Sequence, residues 1–223
     1  MSLYRILSAL LSYPEQDLLD ARDEIAAALA AHPAACDTLR PLTDFLAAHR
    51  LIALQENYVA TFDRNPAHSL HLFEHIHGES RDRGQAMVDL LAEYQRHGVE
   101  PDVAELPDHV PLFLEFLGLI DADEAETLLG DAIHVLAAIG RRLARNESPY
   151  AAVFQVLRTL TRVEPREQTD PPIRDMDEAL ETFGPGADGV EPLLKPQPGG
   201  THTVYFHPRG AHSIATVSPG VAP

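Results

Sequence analysis

The sequence predicts an all-α fold: a single helical bundle of about eight to nine helices over residues 1–163, followed by a Pro/Gly-rich tail over 164–223 that stays largely disordered. Three observations carry this reading. Apolar residues recur at three- and four-residue spacing through the first part of the chain. No segment there alternates with a period of two over the length of a strand, which excludes a sheet-based core. After residue 163 the composition changes: residues 164–223 hold 10 of the 18 prolines and 7 of the 13 glycines, and their apolar residues are scattered. Such a segment cannot bury enough surface to offset the entropy of ordering it.

The elements follow in order. Leu3, Ile6, Leu7, Leu10 and Leu11 share one face of a first helix, with Ser2 placed to cap it and Pro14 just past its end. A second helix is expected over about 15–31, stopped by His32-Pro33, and a third over about 38–49. The fourth carries Leu51, Leu54, Tyr58 and Phe62 and ends near Arg64-Asn65-Pro66. A short His-rich stretch then leads to Gly78. A helix over about 80–97 sets Met87, Leu90, Leu91 and Tyr94 on one face and stops at Gly98. Residues 100–107 read as a loop, and Asp108 as the cap of a helix containing Leu112, Phe113, Phe116 and Leu117. Asp121-Ala122-Asp123-Glu124 has the form of a capping box and opens a helix that runs through Leu128, Leu136 and Leu143. Ser148-Pro149 joins a capping residue to a proline at the first helical position, starting a last helix with Val153, Phe154, Leu157 and Leu160. Short loops favour antiparallel packing of neighbours. In the tail, only Asp175 to Phe183 suits a helical turn or two, and Thr203 to Phe206 a short extended piece.

Composition narrows the function. Residues 1–11 are apolar but lack a basic start and a small-residue cleavage site, so they read as a helix and not a signal peptide. No uncharged apolar run approaches the ~20 residues of a membrane span. The expectation is a soluble, cytoplasmic protein that does not insert into membranes. Cys36 is the one cysteine, which excludes an intrachain disulfide and a Cys-rich metal site; it reads as a small buried hydrophobe. A formal net charge of -17 repels phosphate backbones and attracts basic partners, so nucleic-acid binding is not expected.

The richest chemistry lies in residues 56–83, which hold His68, His71, His75 and His77 beside Glu74, Glu79 and Asp82. His71-Leu72-Phe73-Glu74-His75 fits a His-x-x-Glu-His zinc-hydrolase pattern, with the histidines as ligands, Glu74 as general base and Glu147 as a distant third ligand. Against it, three fixed positions match easily in a chain with 12 histidines, and Pro66 and Gly78 confine the helix to a few turns. A polar cluster that caps helix ends and pairs with acids is the plainer reading. The chain has no glycine-rich phosphate loop and no Gly-x-Ser-x-Gly elbow. Arg141-Arg142 lies within a helix and is no export signal.

Three blocks in order carry a resemblance: Asn57-Tyr58-Val59-Ala60-Thr61-Phe62-Asp63-Arg64, then His71 to Met87, then Glu105-Leu106-Pro107-Asp108-His109-Val110-Pro111 with Leu114-Glu115. Together they resemble the NarJ family of nitrate reductase molybdenum-cofactor assembly chaperones, a branch of the TorD-like chaperones. The resemblance covers residues 1–160 in organisation and is densest over 54–91 and 105–117. It implies a TorD-like helical domain with no catalytic activity; the sequence holds no cofactor-binding motif, so no tightly bound cofactor is expected. The resemblance also implies a partner: the catalytic (alpha) subunit of respiratory nitrate reductase, met through its basic, leader-like N-terminal segment. The chaperone would hold the apo subunit for cofactor insertion and complex assembly and delay its docking at the membrane. A chaperone for another molybdoenzyme is the alternative.

A basic, apolar segment can fold as a helix into a groove between host helices. The candidate contacts are Tyr58, Phe62 and Phe73 for apolar surface. Asp63, Glu74, Glu79, Asp82 and Asp108 would meet basic groups, with His75, His77, Pro107 and His109 beside them. Each has a structural reading too. Tyr58 and Phe62 are at core spacing, Asp108 can serve as a cap, Arg81 and Arg83 can pair locally with Glu79 and Asp82, and Gly78 and Gly84 suit close packing or special backbone geometry. The clustered histidines predict peptide binding that weakens as pH falls.

Overall fold

The computed structural model describes residues 2–77, 81–101 and 105–166. Gly78, Glu79, Ser80 and the predicted tail from 167 onward, with its two expected short elements, lie outside the described residues. Among those described, the structure is all helical, with ten α-helices and no strand; one isolated antiparallel bridge joins His71 to His109.

Helix α1 (Leu3–Leu11) begins as predicted, with the Arg5 N–H donating to Ser2 Oγ at 3.4 Å. Its stripe of Ile6, Leu7, Leu10 and Leu11 is buried, and Ser8 Oγ donates to the Pro111 carbonyl at 2.7 Å, tying α1 to α8. The predicted second helix is two: α2 (Gln16–Asp20) and α3 (Arg22–Leu29), broken at Ala21, where ψ rises to 1°. The bend lets Leu18 and Leu19, and then Ile25 and Leu29, all reach the core. Pro33 does not stop a helix but starts one, α4 (Pro33–Ala48), because its missing N–H belongs to the first turn, where no partner exists anyway. Pro41 forfeits one backbone bond inside α4. The helix persists around it because Leu39, Leu42 and Leu46 are buried.

Helix α5 (Leu51–Tyr58) runs into a π turn, Val59–Asp63, closed by the Arg64 N–H on the Val59 carbonyl at 3.0 Å. A 3₁₀ turn follows at Pro66–His68, with Asn65 accepting from the Ala67 N–H at 3.0 Å. Then come α6 (Leu72–His77) and α7 (Arg81–Arg96). Gly98 ends this stretch as expected, its φ of +72° bringing Val99 N–H to the Tyr94 carbonyl at 3.0 Å.

Helices α8 (Val110–Leu117), α9 (Ala122–Arg145) and α10 (Ala151–Thr159) complete the bundle. Two predicted caps differ here. Asp121 stands at the N-cap of α9, but its side chain makes no capping bond. Residues 149 and 150 form a turn, so α10 starts at Ala151, and Ser148 contributes its carbonyl and not its hydroxyl. The core lies where α1 packs on α8 and where α10 packs on both α9 and α4. A Cβ at Gly140 would sit 2.5 Å from Phe154 Cβ, so α9 and α10 approach too closely for any larger residue. Helix α7 packs chiefly on α6, and of its described side chains only Tyr94 is fully buried. Nothing lies within 4 Å of a Cβ at Gly84, so close packing does not account for that glycine. Cys36 is half-buried against the core, less covered than expected. Among the described residues no helix is long and apolar enough to cross a membrane.

Candidate functional site

The site starts from an aromatic floor. Tyr58 and Phe62, four residues apart across the start of the π turn, have ring centroids 4.8 Å apart. Tyr150 meets Phe62 at 5.0 Å and Tyr58 at 6.0 Å, both edge-on, and Tyr13 meets the other side of Tyr58 at 5.5 Å. Tyr58 and Phe62 are each 5% exposed, and Tyr58 Oη donates to the Leu11 carbonyl at 2.9 Å. Most of their surface is therefore core, as helical spacing alone suggested, and only their edges are available to a ligand. Burial drives the hydroxyls of Tyr58 and Tyr150 up, the latter to about 12.

Those edges open into a cleft of about 370 Å³. Asp63 and Pro66 stand on one side; Ser69, Leu70, His71 and Glu74 form a wall, and His109 closes it. The wall is the segment from the 3₁₀ turn through α6, and three sets of polar contacts hold it.

Asp108 makes the first. Its fully buried carboxylate accepts from the Phe73 N–H at 3.0 Å and from His71 Nδ1 at 3.1 Å, while its backbone carbonyl accepts from the Leu72 N–H at 3.1 Å. Asp108 therefore caps α6, 35 residues away in sequence, and not α8 as its position predicted. His109 occupies the N-cap of α8 without a side-chain bond. Burial alone would raise the Asp108 carboxyl, but the bonds from His71 and the Phe73 N–H outweigh it and hold the group below its ordinary value. The same bond to Asp108 raises His71. His109 stacks on His71 with centroids 5.3 Å apart and is lowered by burial.

The second set fastens the wall to α9. His68 Nδ1 donates to the Thr61 carbonyl at 3.0 Å, and Asn146 Nδ2 donates to His68 Nε2 at 3.0 Å. His75 Nε2 donates to the Ser69 carbonyl at 2.8 Å, and Arg142 Nη1 approaches both the Ala67 carbonyl at 3.2 Å and His75 Nδ1 at 3.4 Å. Burial lowers both histidines. The third set is local: Ser69 Oγ donates to Glu74 Oε2, and Arg83 Nη2 donates to Glu74 Oε1 at 3.0 Å.

The predicted residues divide accordingly. Tyr58, Phe62, Asp63, Glu74 and His109 line the cleft, and Asp108 braces its wall from behind. His75 turns to Arg142 and Ser69, and Phe73 packs on His77 with centroids 6.0 Å apart, so neither lines the cleft. Pro107 offers its carbonyl to Tyr94 Oη at 2.7 Å, and Asp82 is exposed on α7. Arg83 pairs with Glu74 and not with Asp82. Glu79 lies outside the described residues. Pro66, Ser69, Leu70 and Arg83 were not singled out as ligand contacts. The one local signal was Ser69 two residues before His71, whose N–H it accepts at 3.2 Å in a serine turn.

The residues of the His-x-x-Glu-His pattern do not converge. His71 serves Asp108, His75 has both nitrogens occupied, and Glu74 is shared by Ser69 and Arg83. No group of three or more His, Cys, Asp or Glu among the described residues is arranged to hold a metal.

Comparison with known proteins identifies the family. The sequence profile of a family described as nitrate reductase delta subunit matches residues 29–155, which include every cleft-lining residue. The chain is 46% identical over 160 residues to the nitrate reductase molybdenum cofactor assembly chaperone NarJ of Escherichia coli K12, covering 68% of this chain and 66% of that one. It is 40% identical over 157 residues to NarW of the same organism, described as a probable chaperone of the same kind, covering 70% and 67%. The chain thus spans about two thirds of the length of these relatives. In fold it is similar to the crystal structure of a proposed redox enzyme maturation protein from Archaeoglobus fulgidus, with a TM-score of 0.53 at 21% identity, covering 70% of this chain and 90% of that one. By profile and by identity, the chain belongs to the nitrate reductase delta subunit family, the family of NarJ.

Proposed function

We propose that the protein is a non-enzymatic assembly chaperone for a respiratory nitrate reductase, and that its cleft receives the basic N-terminal segment of the apo catalytic subunit. Membership of the NarJ family supports the chaperone role. The observation that carries the site is the conjunction, in one cleft, of an aromatic floor with the acids Asp63 and Glu74. Tyr58 and Phe62 offer apolar edges to one face of a helical segment, and the acids offer partners to its cations. The formal net charge of -17 speeds encounter with such a segment. Ordering the segment consumes part of the contact energy, so affinity is moderate and release is feasible. In this reading, occupancy keeps the subunit open for molybdenum-cofactor insertion and delays its docking at the membrane.

Calorimetric titration with a synthetic peptide of the catalytic subunit's N-terminal segment tests the proposal, with a charge-reversed peptide as control. Saturable binding that weakens at least about tenfold in Asp63→Asn/Glu74→Gln, without loss of fold, is expected for two charge-assisted contacts. Equal affinity for the two peptides, or no heat at any temperature, overturns the site.

A further inference from the structure

We propose that Arg83 is a built-in occupant of the acidic end of the cleft: it holds Glu74 in the free protein and yields it to a basic side chain of the incoming segment. The inference rests on the cleft reading above and adds to it a specificity device.

Glu74 lines the cleft, yet both of its oxygens are engaged, one by Ser69 Oγ and the other by Arg83 Nη2 at 3.0 Å. A cation entering the cleft meets a carboxylate that is already compensated. The compensation is incomplete on the arginine's side. Arg83 makes a single bond to Glu74 where a guanidinium can make two, and its Nε is buried with no acceptor. The pair is also accessible, its side chains being 22% exposed for Arg83 and 37% for Glu74, so it is of modest strength and open to competition.

The helix that carries Arg83 meets the core in its second half, where the part-buried Leu90 and Leu91 pack on it, and is lightly held at its start. In α7 the fully buried Tyr94 lies at the far end, Gly84 has no neighbour within 4 Å of its Cβ position, and Val88 is 60% exposed. An incoming lysine or arginine replaces like with like. The charge on Glu74 stays compensated, its Ser69 bond is kept, and the orphaned Arg83 Nε gains access to water. An apolar segment lacking that cation gains nothing from Glu74, because it cannot replace the arginine. The exchange therefore selects for a cation at one place in the segment and loosens the first half of α7 when the cleft is filled.

The test is titration of the full chain with the same synthetic N-terminal peptide in the wild type, R83Q, R96Q, E74Q and E74Q/R83Q. Arg96 lies on the same helix, pairs with Glu93 and touches no cleft residue, so R96Q makes the same change of net charge elsewhere. R83Q is expected to bind about fivefold tighter than wild type, R96Q within about twofold of it, and E74Q more weakly. Adding R83Q to E74Q should bring no gain. Equal or weaker binding by R83Q, the same gain in R96Q, or a gain that survives in E74Q/R83Q overturns the inference. Hydrogen exchange of the wild type gives a second reading that needs no variant. Amides over 84–92 should exchange faster when peptide is bound, and unchanged or slower exchange overturns the displacement. Failure of the wild type to bind the peptide at all removes the cleft reading, and this inference with it.

Discussion

Replacing Asp108 tests the most consequential contact in the cleft wall. The carboxylate is fully buried and accepts two hydrogen bonds, from the Phe73 N–H at 3.0 Å and from His71 Nδ1 at 3.1 Å. A hydrogen bond to a charged group contributes about 1.5–3 kcal/mol, so Asp108→Ala should cost about 3–5 kcal/mol, including the donors left unpaired. Asp108→Asn keeps an acceptor for Phe73 and allows a neutral bond to the other tautomer of His71, so about 1–2 kcal/mol is expected. Urea unfolding followed by helical circular dichroism reads both. The rival view, that Asp108 caps α8, predicts about 1 kcal/mol with no dependence on His71. A double-mutant cycle with His71→Gln separates the two. Strict additivity, or a cost for Asp108→Ala below about 1 kcal/mol, refutes the reasoning. The pH dependence adds a check. His71 is raised in the folded state, so its contribution is complete below its ordinary value of 6.5 and is lost as pH rises through the raised value. Asp108 is lowered, so its contribution is complete above its ordinary 3.8 and is lost only as pH falls through the lowered value. Asp108→Ala should abolish the loss on the alkaline side.

Two further predictions concern the floor and the fastening to α9. Tyr58→Phe removes the bond to the Leu11 carbonyl and should cost about 1 kcal/mol, whereas Tyr150→Phe removes a buried hydroxyl that has no partner and should be neutral or slightly stabilising; equal costs in urea unfolding would contradict this. His68 and His75 are lowered by burial, so their contribution is complete above 6.5 and is lost as pH falls through their lowered values. The urea midpoint should therefore drop between pH 7 and 5, and a His68→Asn/His75→Gln variant should show a flatter profile; a slope unchanged by the double substitution would count against the fastening to α9.

Helix content and core were legible because both follow from a local period. The stripe of Ile6, Leu7, Leu10 and Leu11 and the cap at Ser2 involve residues a few positions apart, and the structure keeps them. The local pattern is ambiguous where one residue type serves two geometries. A proline after a helix and a proline at the start of the next look alike, and Pro33 is the second. Asp108 is a cap, but a local pattern assigns a cap to the helix that follows it, and the N–H it serves lies 35 residues upstream. The same limit governs the cleft. Tyr58, Phe62 and Asp63 were legible as neighbours on one turn, and Glu74 as an acid in the same block. Arg142 on α9 and Arg83 on α7 are joined to that wall only by the path of the chain through space.

That division has an energetic meaning. The floor belongs to the core, where Tyr58 and Phe62 are locked among other aromatics. The wall is a 3₁₀ turn and a six-residue helix, and a helix that short has no stability of its own in water. It stands because side chains from elsewhere complete it: Asp108 at its start, Arg83 at its acid, and His68 and His75 bound to Asn146 and Arg142. The bonds of the buried Asp108 anchor it, whereas the part-exposed pair of Arg83 and Glu74 is weak enough to be exchanged. The floor can then supply constant apolar contact while the wall adjusts, so a ligand that competes for the wall's bonds changes its order without disturbing the bundle beneath. Under the function proposed above, grip and release then fall to different parts of one cleft.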